Sequence, residues 1–117
     1  VENGCQVCHT QVVRANITDV GLGPVAVGGD YVREAPPLMG WQRIGPDLMH
    51  VGSRMEAASI EAQLAARGVD SLEDLSTEDR AAVEQQAVDD AHAAIRAHLA
   101  DPRASRSWST MPSYDHL

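Results

Sequence analysis

Between Met55 and Leu99, apolar residues, mostly Ala with scattered Val, Leu and Ile, recur among Glu, Asp, Gln and Arg at helical spacing. One helix is predicted from about Glu56 to Arg67, closed by Gly68 as a C-terminal stop. A second starts after Ser76, with Asp79 completing a capping interaction, and runs to about Leu99. On it, Val88, Ala91, Ile95 and Leu99 fall on one face. Residues 16–53 have no such period. Eleven Gly and Pro residues punctuate them, which excludes long helices and predicts a wrapped loop with a short extended hairpin over Val25 to Arg33. Residues 5 to about 15 should begin with a helical turn and then lead into that loop. The pattern is that of an all-α chain.

Its composition shows that these elements alone make a thin core. The 117 residues suit one domain spanning 1–117, and 44% of them are apolar, but Phe is absent and aromatics are 3%. Val, Leu and Ile number 24, close to the level at which a highly charged chain tends towards disorder. Something besides side chains should fill the centre. No segment approaches the roughly 18 to 20 consecutive apolar residues of a membrane span, and there is no leader with a basic start and an apolar run. The sequence begins at Val1 rather than Met, so an upstream signal or anchor is expected to lie outside it.

Charge narrows the partners. All nine basic residues are Arg, set against 17 acids, for a net charge of −8. Ser53 to Asp101 holds 11 acids and 4 Arg, a net of −7, so the acidity belongs to the helical part. Nucleic acid and anionic membrane surfaces are excluded as natural partners, and a basic or mixed-charge protein is favoured.

The chemistry is concentrated at the start. Cys5 and Cys8 are the only cysteines and His9 follows directly, giving Cys-x-x-Cys-His, the attachment pattern of haem c. Two thiols about one helical turn apart can each form a thioether to a vinyl group of one porphyrin, while the adjacent His presents its ring to the iron. Two other readings fit the pair less well. A thioredoxin-type dithiol wants an alternating strand and helix pattern that is not visible, and zinc wants further ligands that His50, His92, His98 and His116 do not supply at short spacing. A porphyrin also accounts for the missing aromatic core.

Three segments carry a family resemblance. They are Gly4-Cys5 through Cys8-His9-Thr10-Gln11-Val12-Val13-Arg14; Gly40 with Arg43-Ile44-Gly45-Pro46-Asp47-Leu48 and Val51-Gly52; and His98 to Arg103 followed by Met111-Pro112-Ser113-Tyr114. In this order they resemble the membrane-anchored mono-haem cytochrome c subunit of cbb-type haem-copper oxidases. Residues 54–90 stand as an acidic helical insertion where that family has a short connection, and Met39 replaces an expected Trp.

The resemblance implies an all-α, cytochrome c-like domain wrapped round one haem c that is covalent through Cys5 and Cys8. It implies His9 as proximal ligand, with the Pro46 carbonyl accepting from its other ring N–H, although Pro46 as a mere turn residue stays open. For the sixth ligand, a soft thioether suits electron transfer towards an oxidase. Met111, in a Pro-bounded loop after the last helix, is the first candidate and Met39 the second; Met49 and Met55 read as core or helix-face residues. Arg14 and Arg43 match family positions and suit the haem propionates, surface solvation being the alternative. Trp41 and Trp108 suit the haem edge or plain core, and the four remaining His suit the surface or caps.

The expected function is one-electron relay, within or beside a membrane respiratory complex on the extracytoplasmic face. Its subunits and a redox donor or acceptor are the partners, and membrane attachment comes only through an anchor outside the chain. No acid–base pair, nucleophile or phosphate loop is visible, so the chain is not expected to be an enzyme. A free diffusible cytochrome is one rival, and a haem enzyme or gas sensor with a labile sixth ligand is another.

Overall fold

The computed structural model describes residues 3–33, 38–40 and 42–117. Trp41, expected at the haem edge or in the core, lies outside them. The chain divides into two compact units, Val1–Val51 and Gly52–Leu117. All regular structure among the described residues is helical, so the fold is all-α and consistent with a cytochrome c-like chain.

Three 3₁₀ turns, Cys5–Val7, Ile17–Asp19 and Gly28–Tyr31, are the regular elements of the N-terminal unit. Among its described residues the buried apolar side chains are Val13 and Met49, and two carboxylates, Asp19 and Asp47, are buried with them. Backbone bonds between distant stretches supply the frame. Gln11 N–H donates to Leu38 O at 2.7 Å, Ala26 to Val13 at 2.9 Å, Gly45 to Cys8 at 2.9 Å and Leu48 to Thr10 at 2.8 Å.

The hairpin expected over Val25 to Arg33 does not form. Its place is taken by the Gly28–Tyr31 turn, because the Asp30 carboxylate accepts the Val27 N–H at 2.8 Å, a donor that a strand ladder would need. Gly28-Gly29 also gives no side chain to pack on a pleated surface.

The C-terminal unit is built of three α-helices: α1 (Val51–Arg67), α2 (Thr77–Ala100) and α3 (Pro102–Ser105). Helix α1 starts five residues earlier than Glu56, since a single Gly52 inside the first turn weakens a helix without stopping it. Its end is the expected one. Gly68 is left-handed at φ +68°, with Val69 N–H bonded to Leu64 O and Gly68 N–H to Ala65 O, the double bond of a Schellman cap. Ser76 caps α2 by accepting the Asp79 N–H at 3.1 Å, and its own hydroxyl donates to the Asp79 carboxylate at 2.6 Å.

The buried stripe of α2 is Val83, Ala87 and Ala91, while Val88, Ile95 and Leu99 are half-buried. The predicted face holds in part: Ala91 is buried and the other three are half-buried, and the buried stripe reaches back from Ala91 to Ala87 and Val83. A helix this rich in Ala has a weak amphipathic signal. Ser59 of α1 donates to Asp90 at 2.6 Å, and Gln63, one turn later, reaches the Val83 carbonyl, earlier in α2. The two helices thus run in opposite directions. Asp101 caps α3, accepting from Arg103 and Ala104 N–H, with Pro102 buried at its first position. None of the described helices is long and apolar enough to cross a membrane.

Candidate functional site

Gly4 at φ +72° turns the chain into the Cys5–Val7 turn, and the Cys8 and His9 N–H groups both return to the Cys5 carbonyl, at 3.2 and 2.9 Å. This holds Cys5 and Cys8 one turn apart. Both are free thiols and half-buried. His9 Nδ1 donates to the Pro46 carbonyl at 2.7 Å. A carbonyl only accepts, so in the neutral ring the proton sits on Nδ1 and the Nε2 lone pair is left for a metal.

Gly45 makes this approach possible. A Cβ there would stand 2.7 Å from His9 Nδ1 and 2.8 Å from Nε2, closer than real side chains come. Gly40, left-handed at φ +63°, lies against the His9 carbonyl in the same way, 2.8 Å from where its Cβ would be. The sequence placed both glycines in the resemblance without giving them this task.

The other expected residues meet in a charged cluster. Arg43 Nε donates to Thr10 Oγ1 at 2.7 Å; its Nη2 reaches Val12 O at 2.9 Å, Asp47 Oδ2 at 3.0 Å and Asp19 Oδ2 at 3.2 Å; and its Nη1 bonds Asp19 Oδ1. Arg14 adds Nε to Asp19 Oδ2 and Nη2 to Asp19 Oδ1, both at 3.2 Å, and its own N–H to the same carboxylate at 2.7 Å. Asp47 also accepts from the Thr10 hydroxyl, Val12 N–H and Met49 N–H. Both Asp side chains are fully covered, Arg43 is 20% exposed and Arg14 51%.

The hydrogen bonds from Arg14 and then Arg43 hold the Asp19 carboxyl far below the usual carboxylate range, against the effect of burial. Asp19 in turn raises the pKa of Arg43. Burial pushes the Asp47 carboxyl up, but donation from Thr10, Val12 and Met49 and the charge of Arg43 outweigh it and leave it lowered. Asp19 and Thr10 were missed as site residues. The only signal for Asp47 was its place after Gly45-Pro46, and nothing local marks Asp19, whose burial depends on an arginine 24 positions away.

The methionines separate cleanly. Met49 is buried, with the Tyr31 hydroxyl 3.8 Å from its sulfur. Met39 is exposed, and Met55 is half-buried on α1. Met111 is half-buried in a C-terminal segment pinned to the end of α2, where Tyr114 N–H donates to Leu99 O at 2.7 Å, Ser113 Oγ to Ala100 O at 2.5 Å and Met111 N–H to Ser109 Oγ at 3.2 Å. Trp108 is exposed beneath the Arg106 guanidinium, 5.8 Å from its ring centroid, rather than in a core. His92 and His116 are exposed; His98 is half-buried and bonded to Ser105. Among the described residues no group of three or more His, Cys, Asp or Glu is placed to hold a metal ion.

Two cysteines one turn apart, an imidazole whose Nδ1 is engaged by a carbonyl so that Nε2 is the nitrogen left for a metal, and a glycine that leaves room for its ring form a donor set that fits a porphyrin iron. Nothing among curated proteins matches the chain. The family model described as cytochrome c oxidase, mono-heme subunit/FixO, matches residues 1–66, which take in the Cys5–His9 motif, the charged cluster and the Gly45-Pro46 segment on which His9 rests. With more than half of its length matched, the chain belongs to the family of mono-heme (FixO) subunits of cytochrome c oxidase.

Proposed function

We propose that this chain relays single electrons through one haem c held by thioethers to Cys5 and Cys8, with His9 and Met111 as axial ligands. The observation that carries the reading is the 2.7 Å bond from His9 Nδ1 to the Pro46 carbonyl inside a Cys-x-x-Cys-His motif. It fixes the tautomer and raises the basicity of the ring that faces the iron. When bound, haem supplies the ferric–ferrous couple, and the protein orients the imidazole, shields it and delivers a thioether. Met111 remains the first choice for that thioether and exposed Met39 the second, because Met49 is committed to the core. Arg14, half exposed beside Asp19, is the proposed contact for a propionate.

Several finer points belong to the same reading. The chain is one cytochrome c domain with residues 54–90 as an acidic insertion, and it acts on the extracytoplasmic face through an anchor outside this sequence. Its partners are the other subunits of a respiratory oxidase and a redox donor. Exposed Ile17 and Val20, at the rim of a shallow depression of about 430 Å³ next to Arg14, give an apolar surface for a porphyrin or a subunit to cover.

The test begins with denatured holoprotein, which should retain its haem and show no free thiol; haem lost to acid and organic solvent would defeat covalent attachment. Met111→Ala should abolish the weak far-red band of methionine-ligated ferric haem, lower the potential and open the iron to carbon monoxide. If Met39→Ala does this instead, the sixth ligand is Met39. Carbon monoxide binding to the unmutated reduced protein would favour a sensor or enzyme.

A further inference from the structure

We propose that Arg43, tied to Asp19, Asp47 and Thr10, is a positioning residue that keeps the Pro46 carbonyl on His9 Nδ1, and is not a donor to the carboxylates of a bound haem. The proposal rests on the haem c reading above and deepens it, since the sequence alone had paired this arginine with a propionate.

The geometry points there by position. Thr10 is the residue after His9, and Asp47 is the residue after Pro46. Arg43 bonds both, and Thr10 donates to Asp47 directly. The two ends of the His9–Pro46 hydrogen bond are thereby stapled one residue away on each side. The backbone alone offers Gly45 N–H to Cys8 O and Leu48 N–H to Thr10 O between these stretches, and neither bond restrains the direction of the Pro46 carbonyl itself.

Charge argues the same way. Arg14 and Arg43 supply two positive charges, and Asp19 and Asp47 supply two negative ones, all in direct contact. The cluster is neutral before any ligand arrives. A propionate seeking Arg43 would have to displace a covered carboxylate from a fork that engages all three guanidinium nitrogens, leaving that carboxylate buried without its counter-charge. Arg14 also bonds Asp19, through Nε and Nη2, but it engages that one carboxylate rather than two and is 51% exposed against 20% for Arg43.

The test follows the His9 Nδ1–H signal of the haem-loaded protein by NMR, measuring its exchange with solvent alongside the reduction potential. Arg43→Gln and Asp19→Asn should each speed exchange about tenfold or more, as the local opening becomes easier. Thr10→Val keeps all four charges and removes only the hydroxyl, so it should speed exchange to a lesser degree, and Thr10→Ser should restore it. A propionate donor behaves differently. Arg43→Gln would then alter the potential with exchange unchanged, and that result overturns the proposal. Should Arg43→Gln fail to fold, the Thr10 pair decides, and unchanged exchange in Thr10→Val overturns it. Wild-type protein with no protected His9 signal defeats the haem reading as well; a protected signal that none of the variants moves defeats this proposal alone.

Discussion

Arg43 with Asp47 in the N-terminal unit, and Arg80 with Glu84 in the C-terminal unit, are arginine–carboxylate pairs of identical spacing, with N–O distances of 3.0 and 2.9 Å. On α2 the spacing is given by the helix. Both side chains there are about half exposed, water competes for each, and the pair adds little. In the N-terminal unit no helix spans the pair. Gly45 and Pro46 lie inside it, the Asp47 side chain is fully covered, and its oxygens also hold Thr10, Val12 and Met49. The difference extends to the units themselves. Of the ten large apolar side chains left exposed among the described residues, eight lie in the N-terminal unit, while its interior holds charge. The C-terminal unit buries Val83, Ala87 and Ala91 and turns its acids outward, as globular helices ordinarily do. The first arrangement puts apolar surface outside and charge inside, and the second does the reverse.

The sharpest way to break this comparison is to remove one carboxylate from each unit. Asp47→Ala should cost about 3 kcal/mol in a denaturant titration, since it strands three donors and part of a buried cation, whereas Glu84→Ala should give no measurable change. Equal effects would erase the distinction. Acid sharpens it further. Asp19 and Asp47 are held below their ordinary values, so the folded chain binds their protons less readily than the unfolded one. Their stabilisation is fully present above the unfolded value, about 4, and is lost as pH falls through that value towards the lowered ones. The Asp47→Ala variant should show a shallower loss over that window.

Gly45→Ala comes next, at about 2 kcal/mol from overpacking against the His9 ring, together with a disturbed iron–imidazole spectrum. Gly28→Ala, which meets nothing within 4 Å, should leave both readouts unchanged. In the C-terminal unit, Val83→Ala should cost about 1.5 kcal/mol for the two buried carbons it removes, and Val88→Ala clearly less. The reverse order would restore the face predicted from sequence. The smallest measurable effect is Ser76→Ala, about 1 kcal/mol for a lost helix cap, checked by thermal unfolding of α2.

What could be read in the sequence follows the range of the forces involved. Gly68 and Ser76 mark helix ends through bonds to residues within a few positions, so both caps were legible. The Cys5–His9 motif is equally local. The hairpin at Val25 to Arg33 failed because Asp30, itself local, offered the Val27 N–H an alternative that hydrophobic alternation does not register. The buried stripe of α2 was legible only in part, through Ala91, because Ala is ambiguous between core and surface and Ala87 carries no mark of its burial. Arg14 and Arg43 stand out in the sequence, but the carboxylate they share does not. Asp19 acquires its role only when residues 14 and 43 arrive beside it.

The His9–Pro46 bond joins residues 37 positions apart, which has a consequence in time. A polypeptide is made from its N-terminus, so the two thiols and the imidazole emerge first, and the proline that fixes the imidazole follows about 2 to 7 s later at ordinary rates of synthesis. Through that interval neither Gly45 nor Arg43 exists to close over the motif. The imidazole is therefore without its hydrogen-bond acceptor until the chain past Pro46 has been made.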